Sequence, residues 1–174
     1  MSVPDGALAD AKAYLRIDSD EEDTPLAMLI GAAIDLCERF TGLALLAGER
    51  QAVLPAYPPG WQRLPATPVS AILSVAALDV AGLAAPLPVE GYAIDIDAAG
   101  DGWVRLTQGI GAGLLLVGYR AGLAADWASL PDALRQGVVR LAAHGHAHRD
   151  AAVDAGPPAA VGALWRPWRR MRLA

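Results

Sequence analysis

The sequence is poor in several residue types on which common functional sites depend. Cys37 is its only cysteine, which excludes an intrachain disulfide and any zinc site built on two or four cysteines of one chain. Lys12 is its only lysine, and 19 acidic residues outnumber 14 basic ones, for a net charge of -5. An overall basic surface, of the kind that nucleic-acid-binding domains use, is therefore excluded.

Sequence motifs of enzymes and of membrane or export segments are also missing. There is no GxSxG elbow, no phosphate-binding P-loop and no GxGxxG after a strand. The most apolar stretch, residues 26–46, contains Asp35, Glu38 and Arg39, so it predicts a helix of a soluble protein rather than a membrane span. No basic segment followed by an apolar run opens the sequence, so no signal peptide is expected and the cytoplasm is the default location.

Apolar residues are abundant, and their spacing predicts helices at the start of the chain. They make up 54% of the 174 residues, which is enough for the core of one domain. Helical spacing predicts a first helix over residues 4–17 and a second helix from Asp23, its expected N-cap, to Gly42. Cys37 lies within the apolar stripe of the second helix, so we expect a small buried hydrophobic side chain there rather than a reactive thiol.

Helical spacing returns near the end of the chain. Ser129 and Asp132 have the spacing of a capping box, and a third helix is expected to run from there to about Arg149. One face of this helix is predicted to carry Leu134, Val138, Leu141, Gly145 and His148. The prolines and glycine of residues 156–158 then separate the helix from a C-terminal tail.

Short apolar segments between these helices predict antiparallel strands joined by turns. The expected strands are residues 50–54, 61–64, 70–78, 92–96, 103–107 and 114–119. Turns are expected at residues 79–82 and 100–102, while the glycine-rich residues 109–113 predict a loop, because no helix follows them that would complete a phosphate cradle. The predicted fold is α+β: a small bundle of three helices and a C-terminal helical tail, with an inserted antiparallel β-sheet region.

The segment HGHAHRD, residues 144–150, holds all three histidines of the chain. On a helix, His144 and His148 share one face and His146 points away, because successive residues turn by about 100°. A zinc site would need a third ligand that the sequence does not identify. Metal binding or a small metalloenzyme built on His144 and His148 is the alternative function, and structural or surface histidines are the other interpretation.

Two further clusters are charged. The first is an acidic run that only loosely resembles a calcium loop, because it lacks the required glycine and the glutamate at position twelve; it comprises Asp18, Asp20, Glu21, Glu22 and Asp23. A solvated loop, or charge that complements the dipole of the second helix, also explains it. The second cluster is a tail of tryptophans and arginines: Trp165, Arg166, Trp168, Arg169, Arg170 and Arg172.

Three interpretations of the tail remain open. Tryptophan and arginine are enriched in the parts of protein interfaces that contribute most to binding, which favours a segment that docks into another protein. Alternatively, the tryptophans of a last helix pack on the core while the arginines stay in water. Contact with a nucleic acid is the third interpretation.

The ordered set of segments resembles the head–tail connector (adaptor, or head-completion) proteins of tailed bacteriophages, in the branch also found in gene transfer agents. The resemblance covers nearly the whole chain. It is carried by AKAYLRIDSDEEDTPLAMLIGAAIDLCERFTGLALL, LPATPVSAILSVAALDVAG, YAIDIDAAGDGWVRL with VGYRAG, SLPDALRQGVVRLAAHGHAHRD, and the tail PPAAVGALWRPWRRMRL. Gly137 stands where the helix motif of the family has alanine.

This resemblance implies a structural protein that is not an enzyme and needs no cofactor or metal. Such proteins form a ring, commonly of twelve subunits, that joins the portal protein to the next neck protein, a stopper or tail terminator. DNA passes through the channel of the ring with weak contact, and no membrane is involved. The implied location is the bacterial cytoplasm during assembly and then the neck of the particle. The chain is expected to form a single connector domain, with helices in residues 1–45, the β insertion in 46–120, a helix in 129–150 and a docking tail in 157–174.

Site residues follow as hypotheses. We expect the acidic run, residues 18–23, to face the channel or its rim, and the tail to dock on the portal through the six residues named above. His144 and Arg149 fall on the A-H-x-x-x-x-R pattern of the family. His144 is therefore interpreted as a packing or hydrogen-bonding residue, and His146 is expected to face solvent or a neighbouring subunit.

Overall fold

The computed structural model describes residues 3–56, 60–108, 113–148 and 156–170. The chain forms two compact units: a helical unit from residues 1–46 and 124–174, and a β unit from residues 47–123. Four helices and antiparallel sheets confirm the predicted α+β fold. The grouping of both units as one connector domain, with the segment limits given above, stays a prediction.

Within the described residues, four helices build the helical unit. They are α1 (Ala7–Leu15), α2 (Asp23–Thr41), α3 (Asp132–Ala147) and α4 (Ala159–Trp165), and α4 continues into a 3₁₀ turn, Arg166–Trp168. The buried face of α2 follows the predicted stripe and includes Leu26, Ile30, Ala33, Ile34 and Cys37. Burial raises the pKa of the Cys37 thiol to about 12, so this sulfur stays protonated at neutral pH, as expected for a small core side chain.

Three helix boundaries differ from those predicted from the sequence. The first helix ends at Leu15, earlier than predicted, because Arg16 adopts a left-handed conformation with φ 59°. Asp23 is the first residue of α2 rather than its cap, and its carboxylate lies 2.7 Å from the Lys12 ammonium. Ser129 does not cap α3 either: its hydroxyl donates to the Asp126 carboxylate at 2.6 Å, and α3 begins after Pro131.

The buried face of α3 also differs from the prediction at its C-terminal end. Leu134 and Val138 are buried as expected, but His148 is the exposed residue that follows the helix. The buried face is completed instead by small residues of the middle turns, namely Gly137, Val139, Ala142 and Ala143. The neighbours of α3 in the helical unit therefore approach its backbone closely.

In the part of residues 47–123 that the structure describes, seven antiparallel strands build the β unit. They are β1 (Gly48–Pro55), β2 (Gln62–Arg63), β3 (Val69–Leu78), β4 (Ala84–Pro86), β5 (Tyr92–Ile96), β6 (Gly102–Leu106) and β7 (Leu114–Ala121). One sheet has the strand order β1-β7-β3-β4 and the other has the order β2-β6-β5. Their core is a buried cluster that includes Leu64, Val75, Val104, Val117 and Tyr119.

Both predicted turns are present. Between β3 and β4 the Asp79 carboxylate accepts the N–H groups of Ala81 and Leu83, at 2.9 and 2.8 Å, and Gly82 has φ 82°. Between β5 and β6 Gly100 takes φ 79°. Of the glycine-rich loop, residues 109–112 lie outside the described residues. Within the part of the chain that is described, no helix is long and apolar enough to cross a membrane.

Candidate docking site

The end of α4 carries a tryptophan that is part of the core. Trp165 is fully buried. Its indole N–H donates to the backbone oxygen of Leu134 at 3.4 Å, and its ring packs against Phe40, with the two ring centroids 5.9 Å apart and the planes tilted by 52°. Of the three interpretations of the tail, core packing therefore describes Trp165, and its side chain is not exposed for docking in this structure.

Gly137 on α3 supplies the space that this indole occupies. A Cβ atom at residue 137 would lie 2.0 Å from Nε1 of Trp165 and 2.7 Å from its Cε2. Both distances are far below van der Waals contact, and the ring is confined, so even alanine would displace it. This close approach gives a physical reason for the glycine at the position where the helix motif of the family has alanine.

The residues after Trp165 are held at the C-terminal end of α2. The backbone N–H of Arg170 donates to the oxygen of Thr41 at 2.8 Å, and the N–H of Arg169 donates to the oxygen of Arg166 at 3.2 Å. The Arg169 guanidinium lies over the ring of Phe40, 5.7 Å from its centroid. We call residues 166–170 the arginine segment; it is a folded part of the helical unit.

The arginine segment presents charge at the surface. Arg166 and Arg169 are exposed, and Trp168 and Arg170 are half-buried. Arg39, near the C-terminal end of α2, is exposed as well. Arg172, which was also expected in the docking set, lies outside the described residues. The described part of the tail thus places guanidinium groups on the surface, where they suit contact with carboxylates.

The acidic run lies directly before α2 and includes its first residue, Asp23; we call residues 18–23 the acidic loop. Asp18, Asp20 and Glu21 are exposed, whereas Glu22 and Asp23 are half-buried. The Lys12 ammonium lies 2.7 Å from a carboxylate oxygen of Asp20 and 2.7 Å from one of Asp23. The only lysine of the chain therefore fixes the acidic loop to α1.

These ion pairs shift the pKa values of their members in opposite directions. Hydrogen bonds to Asp20 and Asp23 raise the pKa of Lys12. The hydrogen bond from the Lys12 ammonium lowers the pKa of Asp20. Both groups are in contact with water, so the stabilisation that they contribute is small and sensitive to salt.

The acidic loop and the arginine segment lie at opposite ends of one helix. The 19 residues of α2 span about 28 Å at ~1.5 Å per residue. Acidic side chains cluster at its N-terminal end and arginines at its C-terminal end, an arrangement that complements the helix dipole. The helical unit is therefore electrostatically polar along α2, although the chain as a whole is acidic.

Known proteins resemble this chain in sequence and in structure. Residues 6–82 match the model of the phage gp6-like head–tail connector proteins. A chain in the neck of an empty gene transfer agent particle, computed with sixfold symmetry, is 27% identical with a TM-score of 0.79, and the match covers 100% of this chain and 95% of that one. These two matches confirm the predicted resemblance to head–tail connector proteins, in sequence over residues 6–82 and in structure over the whole chain.

Two further structures resemble this chain over its full length. A chain in the virion of a native gene transfer agent particle is 28% identical with a TM-score of 0.76, and the match covers 100% of this chain and 95% of that one. A chain in the neck of the native particle, computed with twelvefold symmetry, is 28% identical with a TM-score of 0.74, and the coverage is 100% and 94%. No curated protein matches the sequence of this chain.

The side chains of His144 and His146 differ in exposure from what the sequence predicted. His144 is exposed, and its ring stacks on that of His148, with the centroids 4.2 Å apart. His146 is the half-buried one, and its Nε2 lies 2.8 Å from a carboxylate oxygen of Glu22, so it links α3 to the start of α2. His144 was expected to pack or to form a hydrogen bond, but its side chain is exposed, because the buried face of α3 turns away from it.

The alternative of a metal site rests on His144 and His148. They share a face, as their spacing predicts, but the Nδ1 of His148 lies 2.9 Å from the backbone oxygen of His144. Among residues 3–56, 60–108, 113–148 and 156–170, no group of three or more His, Cys, Asp or Glu side chains is placed to hold a metal ion.

Two side chains that hold the helical unit together were not predicted from the sequence. Trp127 is buried, and its indole N–H donates to the Asp10 carboxylate at 2.8 Å, which links the segment before α3 to α1. It belongs to no periodic pattern, so nothing in the sequence singled it out. Lys12 stood out in the sequence in one respect, since it is the only lysine among 174 residues.

Proposed function

We propose that this chain is a structural subunit of the neck of a phage or gene transfer agent particle and is not an enzyme. In this role it forms a ring that joins the portal protein to the next neck protein, a stopper or tail terminator, around the DNA channel. One observation carries the proposal: chains of gene transfer agent particles, two of them in the neck, are 27–28% identical to this chain over its full length.

A ring of identical copies is supported by the six- and twelvefold symmetry of the two neck structures. A cyclic ring repeats one contact between two different surfaces of neighbouring copies. We propose twelve copies. The matching chains span nearly the same length as this chain, so a subunit of this size suits the same assembly.

Docking on the portal is assigned to the arginine segment. Arg166 and Arg169 are exposed, and the segment is held in place by its contacts with α2. Arginine forms paired hydrogen bonds with carboxylates and stacks on aromatic rings, so the surface that it meets on the portal is expected to be acidic. Arg170 and Trp168 contribute from half-buried positions, and Arg172 belongs to the proposed set by its sequence.

The net negative charge of the chain predicts weak contact with the DNA in the channel. A protein that neutralises many phosphates with basic side chains binds DNA tightly and would hold it in the channel. This chain has a net charge of -5 and a single lysine, and that lysine is already paired with Asp20 and Asp23. The exposed Asp18 and Glu21 of the acidic loop are therefore proposed to face the channel or its rim.

Electron microscopy of assembled particles tests the role as a whole. The expected result is a ring of this chain below the portal, with the acidic loop towards the DNA. Density for the chain elsewhere in the particle, or its absence from purified particles, would refute the neck role. Burial of residues 18–23 against a neighbouring copy, or their exposure on the outer wall, would refute the channel assignment alone.

Charge reversal tests the docking assignment. The double variant Arg166→Glu/Arg169→Glu is expected to bind the portal protein at least about tenfold more weakly, because guanidinium groups that meet carboxylates become carboxylates. Arg120→Glu/Arg140→Glu is the control, since both arginines are exposed outside the arginine segment and the change in net charge is the same. Binding is measured with purified portal protein, and circular dichroism checks the fold. Equal loss in both variants would point to net charge alone and refute the assignment.

A further inference from the structure

We propose that Trp165 is a positioning residue that holds the arginine segment in its docking geometry, with Gly137 as the socket that admits it. This inference rests on the proposed docking of residues 166–170 on the portal. Under this proposal the tail does not bind by charge alone. Its docking surface is formed in advance, and the shape of that surface depends on a buried side chain that does not contact the portal.

The arginine segment is fixed on both sides. On one side, the Trp165 indole is fully buried and bonded to the backbone of Leu134. On the other side, the backbone N–H of Arg170 is bonded to Thr41 at 2.8 Å. Arg166 and Arg169 lie between these two attachments, which restrict the backbone from which the exposed guanidinium groups project.

The socket fits this one side chain closely. The hypothetical Cβ of residue 137 would meet three atoms of the indole at 2.0, 2.7 and 2.8 Å, and no other residue lies as close to it. The indole also meets Phe40, and the Arg169 guanidinium stacks over the same Phe40 ring. A shift of Trp165 therefore disturbs both the backbone of the arginine segment and the ring that supports one of its guanidinium groups.

Positioning matters for affinity because ordering a free chain opposes binding. Each backbone residue that becomes fixed on binding loses conformational entropy, and so does each arginine side chain. A segment that is already held in its bound conformation avoids most of the loss of backbone conformational entropy. The geometry thus predicts that a change at residue 137, which alters no charge, weakens binding to the portal.

The test variant is Gly137→Ala, which leaves every arginine in place. Alanine is the better helix former, so helix propensity alone predicts a more stable α3 and unchanged binding. We expect instead at least about tenfold weaker binding of the purified portal protein and faster hydrogen exchange at the backbone N–H of Arg170. Gly31→Ala is the matched control, because nothing lies within 4 Å of a Cβ at that position of α2; it is expected to leave both quantities unchanged.

A rescue experiment separates positioning from general damage. In Gly137→Ala/Trp165→Phe the smaller ring makes room for the new methyl group and can still pack against Phe40, so binding and exchange protection should recover in part relative to Gly137→Ala alone. If Gly137→Ala does not fold, Trp165→Phe is the second variant: it keeps a ring but loses the bond to Leu134, and it should show a smaller loss of both quantities. A double variant that binds no better than the single one would overturn the inference.

The outcomes distinguish this inference from the docking proposal. Normal binding and normal exchange protection in Gly137→Ala overturn the positioning role, while a loss in Arg166→Glu/Arg169→Glu still supports docking. If the unaltered chain does not bind the portal, the docking proposal fails. In that case hydrogen exchange alone decides whether Trp165 orders the arginine segment: faster exchange of Arg170 in Gly137→Ala supports it, and unchanged exchange overturns it.

Discussion

The acidic loop and the arginine segment both look like charged runs in the sequence, yet different forces hold them at the two ends of α2. The acidic loop is attached through the Lys12 ammonium, whose partner Asp20 has a side chain that is 88% exposed. The arginine segment is attached through Trp165, which is 0% exposed. Charge therefore fixes the first, and close packing fixes the second.

This difference determines which conditions affect each region. Ion pairs in contact with water weaken in salt and at extremes of pH. A buried ring in a close-fitting socket is insensitive to both, but it responds to small changes of volume. Salt and pH are thus expected to act on the acidic loop, and core substitutions on the arginine segment.

The largest effect is expected at Trp165. Trp165→Ala removes a fully buried ring, and such truncations lower the free energy of unfolding by about 3–5 kcal/mol. Urea denaturation followed by circular dichroism measures the change. Trp168→Ala, at a half-buried position, is the control and should have a clearly smaller effect. Similar values for the two variants would contradict the contrast between a core residue and a surface segment.

A smaller effect of opposite sign is expected in the middle of α2. Gly31→Ala places a methyl group where nothing lies within 4 Å, so it should stabilise the chain by up to about 1 kcal/mol through helix propensity. Gly137→Ala makes the same chemical change in α3 and should destabilise the chain, because the indole occupies the space. Denaturation of both variants compares them directly, and a stabilising Gly137→Ala would show that the socket is not closed.

The smallest effect is expected at Lys12. Lys12→Met removes the ammonium that pairs with Asp20 and Asp23 but keeps most of the apolar length of the side chain. Unfolding in low salt should shift slightly to lower temperature, and the shift should shrink in high salt as the ion pairs of the unaltered chain are screened. A loss of stability that does not depend on salt and exceeds the loss in Trp165→Ala would contradict the conclusion that charge fixes the acidic loop.

The stabilisation by the ion pairs of Lys12 is expected to decrease at low pH and at high pH. The pKa of Asp20 is lowered by Lys12 from 3.8, so its stabilisation is present above that value and is lost as the pH falls through the lower pKa of the folded state. The pKa of Lys12 is raised from 10.5, so its stabilisation is present below that value and is lost as the pH rises through the higher one. In Lys12→Met, nuclear magnetic resonance titration should show the pKa of Asp20 moving up, and an unchanged value would contradict the pairing.

Local patterns predicted the elements of the fold but not every boundary. Strand β5 follows the predicted residues 92–96, because alternating side chains between two turns indicate a strand directly. Strand β4 was missed, since Ala84, Ala85 and Pro86 have low strand propensity and are ordered only by pairing with β3. Asp23 was misplaced as a cap because its partner, Lys12, lies 11 residues away along the chain.

The candidate site shows the same limit. Tryptophan and arginine in one run indicated that the tail is important, but sequence does not separate a ring that binds a partner from a ring that packs inside. The separation depends on contacts of Trp165 with Leu134 and Gly137, which are about thirty residues away along the chain. For the same reason, the contact of His146 with Glu22, 124 residues apart, was beyond prediction.

The ion pairs of Lys12 also make the chain suitable for site-directed labelling. Amine-directed reagents find a single lysine side chain in the whole sequence, and they react with the neutral amine. The Lys12 side chain is only 16% exposed, and the raised pKa keeps it protonated. The rate at which this amine is modified would therefore report how often the acidic loop detaches from α1.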